Sequence, residues 1–427
     1  MREMKDSGIE WIGIIPSDWK ISRIKYVATF INGDRGANYP SGSDLVDEGI
    51  IFLTSNNIHG TMLDCCSEIS KYITTDRYSI LGGAKIALGD IIYCLRGSVG
   101  NCAINKEATE GTVASSLVDI RPTKIHPEYL NYILQSPINS VQTLAYMNGS
   151  CAANLSAENV ANYYFIEPPV TKQRIISAFL DSKCSEIDSI ISDIQSQIEA
   201  LEEYKRSVIT EAVTKGLDPD VEMRDSGVQW IGMMPTHWDC QRGKYLLRYV
   251  QKPVRDDDGV ITCFRDGEVT LRSNRREEGF TMADKEIGYQ GIDVGDLVVH
   301  GMDGFAGSIG ISDSKGKASP VLNVLDTEQN KRYIMYYLRS MAYNDVFVAL
   351  ATGIRVRSCD LRWNKLAELL YPMPPVEEQQ AIVEHIDSVL ERTNAIIADK
   401  KQQIETIEEY KKSLIFEYVT GKKEVQA

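Results

Sequence analysis

EPPVTKQRIISAFLDSKCSEIDSIISDIQSQIEALEEYKRSVITEAVTKG, residues 167–216, is a proline pair followed by a long helical pattern, and it comes back at residues 373–422 as MPPVEEQQAIVEHIDSVLERTNAIIADKKQQIETIEEYKKSLIFEYVTGK. The two copies align without a gap at an offset of 206, from Pro168/Pro374 through Tyr204/Tyr410 to Thr214/Thr420. An internal repeat of this kind is read before anything else, because it fixes the plan of the chain. In the first copy Ile187, Ile194, Leu201 and Val208 recur every seven residues, with Ile190 and Tyr204 three further on and Ile191 and Ile198 widening the stripe. The second copy supplies Ile396, Ile397, Ile404, Ile407, Tyr410 and Leu414. This is the heptad seam of a coiled coil, with Gln197 and Gln403 expected at equivalent inner positions where they would fix register. Each helix starts behind prolines and stops near a glycine, Gly216 or Gly421, as helix ends prefer. From Thr171 to Lys215, at about 1.5 Å per residue, the rod is roughly 65 Å long.

A single such helix could dock on its own globular domain. Two matching helices with matching seams most simply pair with each other, and antiparallel pairing puts the intervening globular segments at opposite ends of one rod, related by an approximate twofold axis. A second repeat opens each half: Met4-Lys5-Asp6-Ser7-Gly8-Ile9-Glu10-Trp11-Ile12-Gly13, then Pro16 and Trp19, return as Met223-Arg224-Asp225-Ser226-Gly227-Val228-Gln229-Trp230-Ile231-Gly232, Pro235 and Trp238, at an offset of 219. The difference between the two offsets makes the first filling about a dozen residues longer than the second. The expected organisation is therefore a tandem duplication of α+β class: a globular domain over 1–166, a helical spacer over 167–216, a second domain over 217–372, and a second spacer with a tail over 373–427. Inside the domains, short apolar runs (Ile50–Leu53, Lys85–Leu88, Gly89–Cys94, Val294–Val299) bounded by Gly and Asp predict a curled sheet, with helices at Pro127–Leu134, near Ser156–Asn162 and at Lys331–Met341. Gly89-Asp90 matches Gly295-Asp296, and Gly97 and Gly100 match Gly304 and Gly307 after a one-residue slip.

With 43% apolar and 25% charged residues, the 427-residue chain is composed like an ordinary globular protein. No apolar run approaches the roughly 20 residues that cross a bilayer, and MREMKDSGIEW carries no export signal, so no membrane partner is expected. Nine cysteines without a CxxC pair suit a reducing cytoplasm better than a disulfide framework. The balance of 46 basic to 60 acidic residues, net −14, argues against indiscriminate coating of nucleic acid. Part of that acid lies on the first helix, where eight acids face four bases between Asp181 and Lys215.

Catalytic motifs are missing. Gly310 to Lys317 has one residue too many for a phosphate loop and ends in Ala318 where a hydroxyl should meet magnesium. Neither proline pair is preceded by Asn or Asp, so the signature that holds a target amino group in adenine methyltransferases is absent. The acid-x-Lys triplets Asp181-Ser182-Lys183 and Glu203-Tyr204-Lys205 fall on the coiled-coil helices, and His59, His126, His237, His300 and His385 show no metal spacing. No catalytic residue, metal ligand or cofactor is assigned to the chain.

What remains is binding chemistry. Arg265, Arg272, Ser273, Asn274, Arg275 and Arg276 cluster in one stretch, and Arg355, Arg357 and Arg362 in another; the first domain offers Arg35, Asn56, Asn57, Lys71, Arg77, Arg96, Ser98 and Asn101. Arginine forks suit guanine edges or phosphates and Asn suits adenine. The acids Asp266, Glu268, Glu277 and Glu278 interleave, so on charge alone a solvated, salt-bridged surface is the better account of these clusters, and it is the duplicated architecture that favours binding.

Gly13-x-x-Pro16-x-x-Trp19 and Gly232-x-x-Pro235-x-x-Trp238, the Gly-Asp pairs at 89 and 295, and Pro-Pro-x-x-x-Gln at Pro168–Gln173 and Pro374–Gln379 together resemble the specificity subunit of type I restriction-modification systems, over essentially the whole chain. One departure is Thr171-Lys172-Gln173, where the family carries Glu-Gln as Glu378-Gln379 does; only first-turn charge should change. The resemblance implies two target-recognition domains that each read half of a split, asymmetric double-stranded DNA site, held apart by paired helices. It implies two modification subunits carrying S-adenosylmethionine and adenine methylation, and restriction subunits carrying ATP, magnesium, translocation and cleavage; these partners would help hold the phosphates, which reconciles DNA binding with net acidity. The chain itself would supply address, not catalysis. Two other classes fit the residues: a specificity region detached from a fused methyltransferase-nuclease, and a non-DNA scaffold with paired ligand-binding domains.

Overall fold

The structure, a computed structural model, describes residues 2–65, 69–108, 110–147, 154–275, 287–350 and 361–425. The chain divides into two compact units: Met1–Ile194 together with Gln402–Ala427, and Gln195–Lys401.

The units share one plan. In the first, a hairpin of Met4–Asp6 with Ile14–Pro16 leads to Lys20–Arg23, which pairs antiparallel with Tyr164–Glu167, the strand that enters the proline pair. In the second, Met223–Asp225 with Met233–Pro235 leads to Asp239–Arg242, paired with Leu370–Met373. Each unit is centred on a four-stranded antiparallel sheet with the same strand order: Cys102–Ile104, Ile91–Cys94, Leu117–Pro122, Ala28–Asn32 in the first, and Ile309–Ile311, Leu297–His300, Leu322–Asp326, Arg248–Val250 in the second. A helix covers each sheet. Pro127–Gln135 starts with its proline in the first turn, and Lys331–Tyr343 is capped by Asn330, whose side chain accepts from the N–H groups of Arg332 and Tyr333.

The fillings diverge beyond that sheet. The first unit adds a four-stranded sheet ordered Gly111–Val113, Ile50–Leu53, Lys71–Ile73, Leu45–Val46, in which Gly111–Val113 and Ile50–Leu53 run parallel. The described residues of the second form two separate two-stranded ladders, Ile261–Cys263 with Val269–Leu271 and Gln290–Ile292 with Gly316–Ala318. The run Lys85–Leu88, expected as a strand, makes only an isolated bridge at Lys85. The Gly-Asp pair ends it: Gly89 turns at φ +86°, and the Asp90 carboxylate takes the Ala87 N–H at 2.7 Å, folding the chain back before a ladder can form. Gly295 adopts the same φ, and Asp296 takes the Asp293 N–H at 2.8 Å. Each carboxylate is neutralised within its unit, Asp90 by a bidentate Arg121 and Asp296 by Lys252 at 2.6 Å. Gly-Asp is thus a turn device, with Gly supplying the left-handed backbone that other residues resist.

The long helices are Val170–Lys215 and Val376–Val419. Within the first unit their segments run antiparallel: Phe179 packs on Tyr418 with ring centroids 4.5 Å apart, and Lys411 Nζ reaches both Asp188 oxygens at 2.7 Å. Within the second, Lys400 Nζ donates to Gln197 while Glu378 lies against Gly216. The buried or half-buried positions step by three and four: Ser177, Leu180, Cys184, Ile187, Ile191, Ile194, continuing as Ile198, Leu201, Lys205, Val208, Ala212. On the other helix Ile386, Val389, Thr393, Ile397 and Lys400 are followed by Ile404, Ile407, Lys411 and Leu414. Ile187, Ile194, Leu201, Val208, Ile404, Ile407 and Leu414 therefore lie on the seam face. Ile190, Tyr204, Ile396 and Tyr410 do not: they are 48%, 52%, 47% and 58% exposed. After Ile187 the seam advances four residues to Ile191, and the neighbouring position is turned about 100° away. Where the tyrosines were expected, Lys205 and Lys411 lay their stems, with side chains 18% and 13% exposed, and extend their ammonium groups to solvent-side carboxylates. Gln197 and Gln403 are also exposed, at the rim of the pairing and not inside it.

Both units close around the same buried tyrosine. Tyr129 donates its hydroxyl to the carbonyls of Ile166 (2.9 Å) and Val419 (3.0 Å), and Tyr333 to those of Pro372 (2.8 Å) and Val213 (3.2 Å). Each thereby ties the strand before one long helix to the last turn of the other. Gln173 and Gln379 repeat a second tie, each donating to the first carbonyl of its proline pair at 2.9 Å and accepting the N–H of His126 or Asn330. The glycines that end the helices, φ +70° and +77°, press against the opening motif: a Cβ on Gly421 would sit 2.6 Å from Pro16 and 2.8 Å from Trp19, and one on Gly216 3.2 Å from Trp238. The repeated Gly-x-x-Pro-x-x-Trp is the seat of a helix end.

Candidate nucleic-acid interface

Beyond the central strand of each unit, Ile91–Cys94 or Leu297–His300, the chain makes a glycine loop on which the candidate residues converge. In the first unit Gly97 (φ +78°) and Gly100 (φ +92°) shape it, with Asn101 N–H closing onto Ser98 O. Arg35 and Arg96 line one recess with Asn32 and Asn154–Glu158. Arg35 is exposed and donates to the Ser115 carbonyl at 3.1 Å, and Ser116 O holds the N–H of Leu95, so the backbone that carries Arg96 lies beside the segment that anchors Arg35. The turn Ser55–Asn57 abuts Gly97, whose Cβ would lie 3.8 Å from Ser55 Oγ, and this brings exposed Asn56 to the loop. Ser98 and Asn101 are exposed on the loop itself, and Lys71 is exposed on the strand that pairs with Ile50–Leu53.

Two first-unit candidates do other work. Asn57 is fully buried: its Oδ1 accepts from Thr54 N–H and its Nδ2 donates to Asp64 O, so it caps a turn and cannot reach a ligand. Arg77 is half-buried and pairs with Asp44 at 3.0 Å. The Ser41 N–H and Arg77 together hold the Asp44 carboxyl below the usual range.

In the second unit the ladder Ile261–Leu271 lies beside the matching loop, and a Cβ on Gly307 would fall 2.7 Å from Arg265 O. Arg265 is exposed and paired with Asp303 at 3.0 Å. His300 Nδ1 accepts the N–H groups of Met302 and Asp303, and burial lowers its pKa, which keeps the acceptor nitrogen free of a proton. Arg275 is held by Asp266 (2.7 Å) and Glu268 (2.9 Å) and lies 4.2 Å over the Phe264 ring. Arg272 is half-buried and bonds Thr262, and Asn274 donates to Thr270 Oγ1. Of this cluster, Ser273 is exposed, Arg265 and Arg275 are exposed with their forks held by carboxylates, and half-buried Arg272 and exposed Asn274 bond the ladder. Exposed Arg362 precedes the short helix Trp363–Leu366. Arg276, Arg355 and Arg357 lie outside the described residues.

Sequence reasoning passed over Lys25-Tyr26 and its repeat Lys244-Tyr245, although the shared offset of 219 from the opening motif marks both. Among the described residues no group of three or more His, Cys, Asp or Glu side chains could hold a metal ion, and no helix is long and apolar enough to cross a membrane.

The model of the type I restriction modification DNA specificity domain matches residues 16–200. The chain is 23% identical over 436 residues to the type I restriction enzyme MjaVIII specificity subunit of Methanocaldococcus jannaschii, covering 96% of this chain and 93% of that one. It is 19% identical over 402 residues to the StySPI specificity subunit of Salmonella potsdam, covering 90% and 84%. Its fold is similar to a chain solved in a study of the assembly and conformational transition of the type I restriction-modification system, with a TM-score of 0.62 at 14% identity, covering 95% and 98%. The doubled motifs and the doubled plan agree with these likenesses: residues 16–200 match the type I restriction modification DNA specificity domain, and nearly the whole chain is similar to type I restriction-modification specificity subunits.

Proposed function

We propose that each globular region, residues 1–166 and 217–372, reads one half of a split, asymmetric duplex site, and that the helices of 167–216 and 373–427 fix the unread length between the halves. In this reading the chain, like the specificity subunits it is similar to, is a non-catalytic DNA-specificity subunit. One observation carries the reading. Two units of one plan present a glycine loop in the same place, yet surround it with different exposed groups, Arg35, Asn56, Arg96 and Ser98 in one and Arg265, Ser273 and Arg275 in the other. A shared scaffold with unlike reading groups is what an asymmetric site demands. Modification subunits supply S-adenosylmethionine chemistry, and restriction subunits supply ATP-driven steps with magnesium.

A good bidentate base contact discriminates by about 1–3 kcal/mol. Replacing Arg265 and Arg275 by Ala should therefore relax one half-site and leave the other intact when methylated adenines are mapped by sequencing. Equal relaxation of both halves, or of neither, would place the reading face elsewhere.

A further inference from the structure

We infer that Lys25-Tyr26 and Lys244-Tyr245 are equivalent contacts to the DNA sugar-phosphate backbone, one on each half-site; this rests on the reading above. Both pairs lie in a single helical turn, Ile24–Tyr26 or Gly243–Leu246, that follows the strand paired with the root of a long helix. Both tyrosines stand in solvent, 62% and 75% exposed, where burial gives them no reason to persist. In each pair the lysine ammonium lies over the following ring, at 5.4 and 5.5 Å. An arginine two residues before each lysine completes the group. Arg23 and Lys25 both donate to Asn162 Oδ1, at 3.2 and 2.8 Å, and Arg242 and Lys244 both meet Glu368 at 3.1 Å.

These anchors tie the pairs to the candidate interface. Asn162 ends the short helix Ala157–Ala161, whose first residues line the recess of Arg35 and Arg96. Glu368 follows the equivalent helix Trp363–Leu366, which begins at Arg362. Each unit therefore has a cationic ridge at one end of a short helix and reading candidates at the other. Arg23 and Lys25 form no ion pair among the described residues, so their charge is available to a ligand. The reading candidates differ between the units, whereas Arg-x-Lys-Tyr recurs unchanged. Bases differ between two half-sites and the phosphodiester backbone does not, so the recurring group fits the invariant part of the ligand. Its chemistry agrees: ammonium and guanidinium groups for phosphate, an exposed ring for the sugar edge.

The test uses the full chain complexed with its modification partner and a fluorescent duplex carrying the mapped motif, with a scrambled duplex beside it. Loss of one phosphate contact lowers the slope of log affinity against log salt by about 0.9. Lys25→Gln with Lys244→Gln should lower it by about 2, so that the deficit relative to wild type shrinks about twelvefold between 50 and 200 mM salt. Specific and scrambled duplexes should weaken alike, and the methylated motif should stay the same. Tyr26→Ala with Tyr245→Ala should weaken both duplexes without changing the slope. An unchanged slope in the lysine variant overturns the inference, as does a changed motif. Loss of the modification partner on gel filtration would assign the ridge to protein docking instead. If the wild-type complex itself fails to distinguish the motif from the scrambled duplex, the reading of the units as DNA-binding fails, and that result is separate from the behaviour of the variants.

Discussion

Glu378 offers a direct test of why the helices begin as they do. In the second unit its Oε1 accepts the indole N–H of fully buried Trp238 at 3.1 Å, and its Oε2 meets His237 at 2.9 Å. In the first unit the equivalent residue is Lys172, which turns away to Glu424 at 2.8 Å. Trp19, 1% exposed, is left with no hydrogen-bond partner for Nε1 among the described residues. Arg2 stacks over that ring at 4.8 Å and pairs with Asp18, the counterpart of His237. Glu378→Lys therefore recreates in the second unit the orphan that the first unit tolerates. A hydrogen bond to a charged acceptor contributes roughly 1.5–3 kcal/mol, and the stranded N–H adds its own desolvation. For a unit of this size each kcal/mol moves the midpoint by about 2–4 °C, so the transition of the second unit should fall by some 3–12 °C in tryptophan-monitored melting. Glu378→Gln, which keeps an acceptor oxygen, should lose less than half as much. The reverse exchange has a condition built in. Lys172→Glu alone would bring a carboxylate against Asp18 and should gain nothing, whereas Asp18→His with Lys172→Glu should raise the first unit's midpoint. Superimposable melting of Glu378→Lys and wild type would show that the buried indole does not depend on its acceptor.

Asp119 gives a pH signature. It is fully buried between Asp90 and the single cation Arg121, and burial, then the Asp90 charge, pushes its carboxyl up to about 8. The unfolded group titrates near 3.8, so between about pH 4 and 8 the folded state holds the extra proton and stability falls as pH rises. Asp119→Asn should flatten that slope in denaturant titrations across the window. Asp119→Val should do the same, because Val324 occupies the equivalent register position opposite Val298; a slope equal to wild type would refute the assignment. A different measurement addresses the helices: deleting one heptad from each, residues 198–204 and 404–410, keeps the seam in phase and removes about 10 Å of rise. The mapped motif should keep both half-sites and lose about three base pairs of spacer, and an unchanged spacer would refute the ruler.

The repeats made much of this fold legible, because motifs that recur at a fixed offset report structure that two segments share. Helix ends were readable from prolines and glycines, and the Gly-Asp pair from the left-handed turn it supplies. The seam was misread at Ile190, Tyr204, Ile396 and Tyr410 for a physical reason: Lys205 and Lys411 count as polar in a sequence pattern, yet their stems pack like aliphatic residues. Asn57 and Arg77 show the matching limit in the site. A polar side chain in a loop serves its own backbone as readily as a ligand, although Thr54-x-x-Asn57 is a capping-box spacing that could have flagged the first. Lys172 looked like a change of surface charge, and only its place beside Trp19 reveals the lost acceptor.

Closure of the first unit has a kinetic side. The second unit is one uninterrupted stretch, Gln195–Lys401, whereas the first needs Gln402–Ala427 to supply Leu414, Ile415 and Val419 to its core and a carbonyl to Tyr129. Contacts of such sequence separation form late, since loop closure precedes any gain from them. The late-arriving segment must then find its register on a seam that repeats every seven residues. Lys411 and Asp188 supply that choice. A slip of one heptad would set the ammonium opposite Gln195, which carries no charge, or opposite Asp181, whose carboxylate already accepts the Tyr132 hydroxyl at 2.7 Å. In the second unit Asn394 stands where Asp188 does, and Lys205 pairs with Glu202 on its own helix. An exposed ion pair adds about 1 kcal/mol or less to stability, so the place of this one at the long-range closure is better explained by register than by strength.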